Sequence, residues 1–115
     1  TADMLVEVVD VVGPGVEIFV DGGCMRGADI VKFLALGATA VGIGKLQALA
    51  LAAGGTRALE RALSILEEEL VVDMGLIGVT STNRISSECL RPVSPVNSLH
   101  PLAPFPVVME RLGLR

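Results

Sequence analysis

The sequence predicts an α/β fold in which short parallel strands alternate with helices. Two apolar runs, at residues 16–20 and 39–43, are each followed by glycine beside a charged residue. A stretch with apolar residues at helical spacing then follows each run. Interior strands of a parallel sheet are buried on both faces and therefore have this continuously apolar character. The repeated order of strand, glycine and helix is the main evidence for the fold class.

The first unit consists of an interior strand at residues 16–20 and a helix at residues 28–36. The strand is bounded by Gly13-Pro14-Gly15 and by Gly22-Gly23, which interrupt regular structure. Gly37 is placed to take the left-handed conformation that commonly ends a helix. We therefore expect the connecting loop to lie at the carboxyl end of the strand and the amino end of the helix.

The loop between this strand and this helix is suited to an anion. Backbone N–H groups at the amino end of a helix lack intrahelical partners, and the helix dipole is positive there. Gly22 and Gly23 allow the backbone to approach a ligand closely. The same two glycines also fit a simple tight turn, and these residues alone do not separate the two interpretations.

The second unit begins with a strand at residues 39–43 and continues through Gly44-Lys45 into another helical stretch. Together the two units look like the last two βα units of a TIM barrel, where a phosphate group commonly binds between the final loops. Gly44-Lys45 is not a P-loop, because that motif needs glycine where Thr39 stands and a hydroxyl residue where Leu46 stands.

Four stretches carry a family resemblance, at residues 21–32, 34–38, 41–45 and 51–55. They read Asp-Gly-Gly-Cys-Met-Arg-Gly-Ala-Asp-Ile-Val-Lys, Leu-Ala-Leu-Gly-Ala, Val-Gly-Ile-Gly-Lys and Leu-Ala-Ala-Gly-Gly. In order and spacing, the chain between residues 2 and 90 resembles the C-terminal third of the FMN-dependent 2-hydroxy acid oxidases and dehydrogenases. This family includes glycolate oxidase, lactate oxidase, flavin-linked lactate dehydrogenase and mandelate dehydrogenase.

The resemblance implies that the two glycine loops bind the cofactor FMN through its phosphate. In the family an Asp-Gly-Gly loop and a Gly-Arg pair hold the phosphate, and the aspartate is placed to bind ribityl hydroxyls. The chain departs from the family at Met25 and Lys45, where arginine is usual, so one guanidinium is lost and another becomes an ammonium. The implied cofactor-binding residues are Asp21, Gly22, Gly23, Cys24, Met25, Gly44 and Lys45.

The resemblance also implies an oxidoreductase that converts a small 2-hydroxy acid to a 2-oxo acid, with the flavin accepting a hydride equivalent. The proton-abstracting histidine, the substrate-binding arginines and the flavin-contacting lysine of the family have no counterparts that we locate in this sequence. We therefore expect no catalytic residue here and no turnover by this chain alone. The rest of the barrel is expected from missing N-terminal strands, from a partner chain or from a homo-oligomer.

Length and composition indicate part of a larger core. The chain has 115 residues, of which 51% are hydrophobic and 19% charged, an apolar content high for a small independent domain. A whole TIM barrel needs about 250 residues. We expect residues 1–91 to form the C-terminal part of an FMN-binding barrel, and residues 92–115 to form a proline-rich tail packed on it. Whether the chain is a fragment, half of a split enzyme or a partner in an assembled barrel stays open.

Charge and composition argue against several other classes of protein. The net charge is −4, with acids and bases interspersed and only three aromatic residues, so a nucleic-acid surface is not expected. We expect neither a membrane span nor a secretory leader. Cys24 and Cys89 do not form a disulfide framework, so a cytoplasmic location is expected.

The remaining elements are predicted to be mainly helical. Residues 2–12 predict a helix with one acidic, solvated edge, although their valines leave a strand open. Residues 46–53 predict a short helix that ends at Gly54-Gly55, before a long helix that runs from Thr56 to about Gly78. Residues 80–89 predict a further short helix. The acidic edge of the first helix consists of Asp3, Glu7 and Asp10.

Other chemistry-bearing residues are interpreted as structural. Glu67-Glu68-Glu69 diverge around a helix, so we expect a solvated face rather than paired catalytic carboxylates. His100 lies in the proline-rich tail, where we expect a structural role. A helix amino end could lower the thiol pKa of Cys24, but passive filling of a gap is the favoured interpretation. One histidine and two distant cysteines do not make a metal site.

Two other functions compete with FMN binding. The first is a non-catalytic, truncated or degenerate barrel module that folds by association with another chain, suggested by Met25 and the high apolar content. The second is another phosphate-binding barrel, which would use the same two loops for a sugar phosphate or a nucleotide. The long match through residues 51–55 makes this second alternative the least favoured.

Overall fold

The computed structural model describes residues 2–93, which form an α/β unit with two parallel strands and three helices. This confirms the predicted class of alternating strands and helices. The described residues do not close into a barrel, since their sheet has two strands. The elements are α1 (Ala2–Val12), β1 (Phe19–Asp21), α2 (Gly27–Ala35), β2 (Ala40–Gly42) and α3 (Gly44–Leu76), followed by 3-10 turns at Thr82–Arg84 and Ser87–Cys89.

The two strands lie side by side and run in parallel, with Phe19 opposite Ala40 and Asp21 opposite Gly42. Their pairing extends one step before the strands, where the Ile18 N–H donates to Thr39 Oγ1 at 3.0 Å. Each strand has three residues and is therefore shorter than the predicted runs at 16–20 and 39–43. The register places the carboxyl ends of both strands at the same edge of the sheet.

The prediction that both faces of the first strand are buried is wrong for the described chain. Val20 is 7% exposed, whereas Phe19 is 72% exposed and Val16 is 57% exposed. Successive side chains of a strand point to opposite faces. In residues 2–93, α1 and α2 cover only the face that carries Val20, and this explains why its neighbour Phe19 meets solvent.

Two apolar clusters hold the helices in place. The first joins α1, β1 and α2, and the second joins α2 to the carboxyl half of α3 and to the following turns. The predicted cap at Gly37 is confirmed, because its φ of +102° is the left-handed geometry that favours glycine. The buried members are Leu5, Val20, Cys24, Phe33 and Ala38 in the first cluster, and Val31, Ala35 and Ile85 in the second.

A break divides α3 into two segments, as the sequence predicts. Gly54 and Gly55 leave helical geometry, with φ and ψ of −168° and 27° for Gly54 and of 62° and −149° for Gly55. In the second segment Leu66 is buried, and Leu70 and Met74 pack against the second cluster. The carboxyl half of this helix therefore packs on α2, whereas Leu63 nearer its start is exposed.

Both ends of the described region differ in detail from the predicted secondary structure. Residues 2–12 are helical, so the strand alternative is wrong, and the solvated side is wider than predicted because only Leu5 is buried. Residues 80–89 form two 3-10 turns instead of one helix. The predicted packing of the tail at 92–115 and the role of His100 concern residues that lie almost entirely outside the described region.

Candidate functional site

The candidate site begins where the two strands end. The Asp21 carboxylate lies over Gly42, because a Cβ built at Gly42 would lie 3.0 Å from Asp21 Oδ1. A Cβ built at Gly44 would lie 3.8 Å from both carboxylate oxygens of Asp21. The parallel register thus brings the start of the first glycine loop and the start of α3 together, and glycine at position 42 leaves space for the carboxylate.

The backbone at Gly22 and Gly23 is open to solvent. Both residues are exposed, and both have positive φ, 98° for Gly22 and 85° for Gly23. A side chain at either position would be strained, which explains glycine at both. A Cβ built at Gly23 would meet no atom within 4 Å, so a group can approach this part of the backbone closely.

The amino end of α2 is already bound by two carboxylates. The backbone N–H groups of Met25 and Arg26 both donate to Asp29 Oδ2 at 3.1 Å. The Gly27 N–H donates to Glu69 Oε2 at 2.7 Å. Three donors that a helix amino end could offer to an anion are therefore satisfied by the protein itself.

Glu69 also pairs with Arg26 and so corrects the prediction of a solvated face for residues 67–69. Glu69 Oε1 lies 2.8 Å from Nε and 2.8 Å from Nη2 of Arg26. The hydrogen bond from Arg26, followed by that from the Gly27 N–H, lowers the pKa of Glu69 below its ordinary value. Glu68, in contrast, is exposed and pairs with Arg61 at 3.1 Å. No local pattern around Glu69 indicates this role, because its partners lie more than forty residues away in the chain.

Cys24 fills a gap in the first apolar cluster. The residue is 3% exposed, and its Sγ lies 3.9 Å from the Arg26 carbonyl oxygen. Burial, followed by the nearby charge of Asp29, raises the pKa of the thiol. The thiol therefore stays protonated near neutral pH, which agrees with the passive interpretation and argues against a reactive cysteine.

The amino end of α3 differs from that of α2. Gly44 and Lys45 form its first turn, and both are exposed. This turn contains no acidic residue, and Ile43 before it provides no side-chain cap. By helix geometry, the first N–H groups of α3 have no intrahelical acceptor. This end of α3 retains a positive character beside the Asp21 carboxylate.

The described residues contain a groove of about 370 Å³ that is separate from the predicted site. Its lining includes none of the seven predicted cofactor-binding residues. Within residues 2–93, no cluster of histidine, cysteine and acidic residues fits a metal ion. In the same range, no helix has the length and apolarity needed to cross a membrane. The groove is lined by Arg26, Ala28, Glu68, Glu69, Val72 and Asp73.

The predicted site residues fall into two groups in the structure. Asp21, Gly23, Gly44 and Lys45 are exposed at the common edge of the strands, together with Gly22. Cys24 is buried and Met25 is half-buried. Two residues that shape the loop, Asp29 and Glu69, were not predicted. Asp29 had a local signal, since acids are favoured in the first turn of a helix.

Comparison with known proteins agrees with the resemblance found in the sequence. A family model described as FMN-dependent dehydrogenase matches residues 1–92. The chain is 42% identical over 88 residues to an L-lactate oxidase of a Nostoc species, which covers 76% of this chain and 24% of that protein. It is 40% identical over 91 residues to human 2-hydroxyacid oxidase 1, which covers 79% of this chain and 25% of that protein.

Solved structures support the same relationship. A mandelate oxidase matches with a TM-score of 0.71 and 41% identity, over 75% of this chain and 26% of that one. A mutant flavocytochrome b2 with bound pyruvate matches with a TM-score of 0.72 and 33% identity, over 84% of this chain and 28% of that one. The chain thus spans about a quarter of the length of the relatives that it matches. The extent and strength of these matches show that it belongs to the FMN-dependent dehydrogenase family.

Proposed function

We propose that this chain is the FMN-phosphate-binding C-terminal segment of an oxidoreductase that converts a 2-hydroxy acid to a 2-oxo acid. The observation that carries the proposal is the shared strand edge, where the Asp21 carboxylate approaches Gly42 and Gly44. This edge joins the two loops that the family uses for FMN. Relatives named lactate oxidase and 2-hydroxyacid oxidase support the class of substrate.

The residues at this edge fit the phosphate and ribityl chain of FMN. The open backbone at Gly22 and Gly23 lets a ligand approach closely. The first turn of α3 contains no acidic residue, and the amino end of a helix is suited to an anion. Lys45 adds a cation, and the Asp21 carboxylate can accept hydrogen bonds from ribityl hydroxyls. Because Asp29 and Glu69 already bind backbone N–H groups at the amino end of α2, the phosphate is assigned to the α3 side of the loop.

The side chains of Cys24 and Met25 contribute shape in this proposal. Cys24 anchors the loop in the first apolar cluster, and its backbone N–H is assigned to the phosphate together with those of Gly22 and Gly23. Met25 has no charge to offer where the family has arginine. We therefore assign most of the cationic attraction for the phosphate to Lys45.

When bound, the flavin supplies the hydride-accepting chemistry. The residues of this chain hold and orient the cofactor, and residues 2–93 contain no histidine that could remove the substrate proton. The base and the groups that bind the substrate are assigned to the rest of the enzyme. The alternative of a non-catalytic barrel module is not favoured by the family match.

The exposed side of β1 is the proposed place for further barrel strands. The side chain of Phe19 is exposed there and leaves an apolar surface, which the rest of the barrel would cover. We propose that residues 1–91 complete a barrel with strands from elsewhere in the protein, from a partner chain or from a second copy. Packing of residues 92–115 on this barrel and a cytoplasmic location are part of the same proposal.

The test is a comparison of FMN with riboflavin, which lacks the phosphate. Both flavins are titrated by fluorescence quenching into the purified protein, in the assembly that it forms. We expect tighter binding of FMN, and we expect Lys45→Ala to weaken FMN binding about tenfold or more, with little effect on riboflavin. Arg61→Ala, at an exposed pair on α3, is the matched control. Equal affinity for the two flavins would contradict the phosphate assignment.

A further inference from the structure

The phosphate loop is fixed at both ends. At its beginning, β1 is paired with β2 up to Asp21. At its far end, the Arg26 side chain and the Gly27 N–H both bind Glu69, a residue of the second segment of α3. The residues between these points, 22–25, include the open glycines. A loop held at two points loses less conformational entropy when it binds a ligand than a loop held at one.

The contact with Glu69 depends on glycine at position 27. A Cβ built on Gly27 would lie 2.5 Å from Glu69 Cβ and 2.5 Å from the Leu70 backbone nitrogen. Gly27 is buried in the contact between α2 and α3. The absence of a side chain there lets the Glu69 carboxylate reach the amino end of α2. Each oxygen of this carboxylate has its own partner, Oε2 with Gly27 and Oε1 with Arg26.

The ion pair between Glu69 and Arg26 differs from the neighbouring ion pair between Glu68 and Arg61. The Glu69 side chain is 25% exposed and binds a backbone N–H as well as a guanidinium. Glu68 and Arg61 are each 64% exposed, and within residues 2–93 their side chains bind one another. Exposed pairs of this second kind contribute little to stability. The two adjacent glutamates therefore provide a test residue and a matched control.

We propose that Glu69 is a positioning residue for FMN: it holds the far end of the glycine loop, so that the backbone donors at residues 22–24 meet the phosphate. This inference rests on the proposed function, because it concerns the same phosphate. It adds a residue outside the glycine loops, brought to them only by the packing of α3 on α2. The carboxylate itself does not touch the phosphate in this proposal, since its oxygens are bound to Arg26 and Gly27.

The experiment measures dissociation constants of FMN and riboflavin for the wild type, Glu69→Gln and Glu68→Gln, in the purified protein. We expect Glu69→Gln to raise the FMN constant about tenfold and the riboflavin constant less than twofold, because only FMN needs the ordered loop. Glu68→Gln should leave both constants unchanged. Circular dichroism and thermal unfolding verify that each variant is folded.

The outcomes separate the two proposals. A wild type that binds riboflavin as tightly as FMN would overturn the phosphate assignment and this inference together. A wild type that prefers FMN, with the same preference in Glu69→Gln, would overturn only the role of Glu69. Tighter FMN binding in Glu69→Gln would also overturn it, since the carboxylate would then compete with the phosphate.

A second variant keeps the inference testable if Glu69→Gln does not fold. Arg26→Gln breaks the ion pair from the other side and leaves Glu69 bound to the Gly27 N–H. We expect a smaller loss of FMN preference, about threefold, because one of the two attachments remains. An unchanged preference in a folded Arg26→Gln would show that the ion pair does not position the loop.

Discussion

The two junctions between strand and helix have the same order of elements but differ in how carboxylates contact the amino end of the helix. Between β1 and α2, five residues form a loop, and the carboxylates of Asp29 and Glu69 bind the N–H groups at its end. Between β2 and α3, only Ile43 separates the strand from the helix, and the first turn of α3 has no acidic residue. Both helices present a positive dipole end, so the dipole alone does not decide where an anion binds. The side chains around each amino end decide it.

The amino ends of α2 and α3 therefore have different tasks in the proposed site. The amino end of α2 is closed and serves to hold the glycine loop in a defined shape. The first turn of α3 contains Gly44 and Lys45 and no acidic residue, and the Asp21 carboxylate lies beside Gly44. In the proposed site, a phosphate group between the two junctions would meet the glycine loop on one side and the amino end of α3 with Lys45 on the other. The following predictions disturb one junction at a time.

The largest effect is expected from Gly27→Ala at the closed junction. The new methyl group would overlap Glu69 Cβ and the Leu70 backbone nitrogen, so α2 and α3 must separate. We expect a loss of about 2 to 3 kcal/mol in the free energy of unfolding, measured by urea denaturation. The control is Gly75→Ala, because a Cβ at Gly75 meets nothing within 4 Å and should stabilise the helix by about 0.5 to 1 kcal/mol. Equal effects of the two substitutions would contradict the close packing at Gly27.

The second prediction concerns flavin binding at the glycine loop. Met25→Arg places a guanidinium in the glycine loop, where it can pair with two phosphate oxygens. We expect FMN to bind about tenfold more tightly and riboflavin to bind unchanged, as measured by fluorescence quenching. Met4→Arg adds the same charge on an exposed part of α1 and should alter neither affinity. If both variants tighten FMN binding equally, long-range attraction rather than a local pair is responsible.

The third prediction concerns the carboxylate of Asp29 at the amino end of α2. Asp29→Ala removes the acceptor for the Met25 and Arg26 N–H groups, and we expect a loss of about 1 kcal/mol in stability. Asp29→Asn keeps an acceptor oxygen and should lose less than Asp29→Ala. Thermal or urea unfolding measures both variants. A loss of stability that is the same for alanine and asparagine would show that the hydrogen bonds from the loop are not the cause.

The smallest effect is expected from acid, through Glu69. Its pKa is lowered in the folded chain from an ordinary value of 4.5, chiefly by the hydrogen bond from Arg26. The stabilising contribution is therefore present above pH 4.5 and is lost as the pH falls through the lower folded value. The partial exposure of both side chains keeps the contribution small. Urea unfolding between pH 6 and pH 3 should show a steeper loss for the wild type than for Glu69→Gln, and parallel curves would contradict the pairing.

Local signals in the sequence predicted most of the secondary structure. The breaks at Gly37 and at Gly54-Gly55 were predicted because glycine adopts backbone angles that other residues avoid, and Gly37 and Gly55 have the positive φ that favours glycine. The helix at residues 2–12 was predicted by the spacing of its acids. The strands were predicted too long, since an apolar run does not show where pairing with a neighbour stops.

The location of five candidate site residues at one edge of the sheet could be predicted from the sequence, and their role in binding the cofactor stays a prediction. Asp21, Gly22, Gly23, Gly44 and Lys45 could be proposed because each lies directly after a predicted strand, and parallel strands end at one edge. The burial of Cys24 and the raised pKa of its thiol depend on α1 and α2, which no local pattern shows. The exposure of Phe19 depends likewise on which neighbours cover the sheet.

Local patterns along the chain were sufficient to predict the order of strands, glycine loops and helices, because backbone geometry and apolar spacing act over a few residues. The chain also carries the family motifs that indicate FMN. The difference between the two junctions, in contrast, arises from tertiary packing. That difference depends on Glu69, which the packing of α3 on α2 brings to Gly27 across 42 residues of chain. Electrostatic contacts over such separations depend on the folded arrangement, so no local pattern in the sequence predicts them.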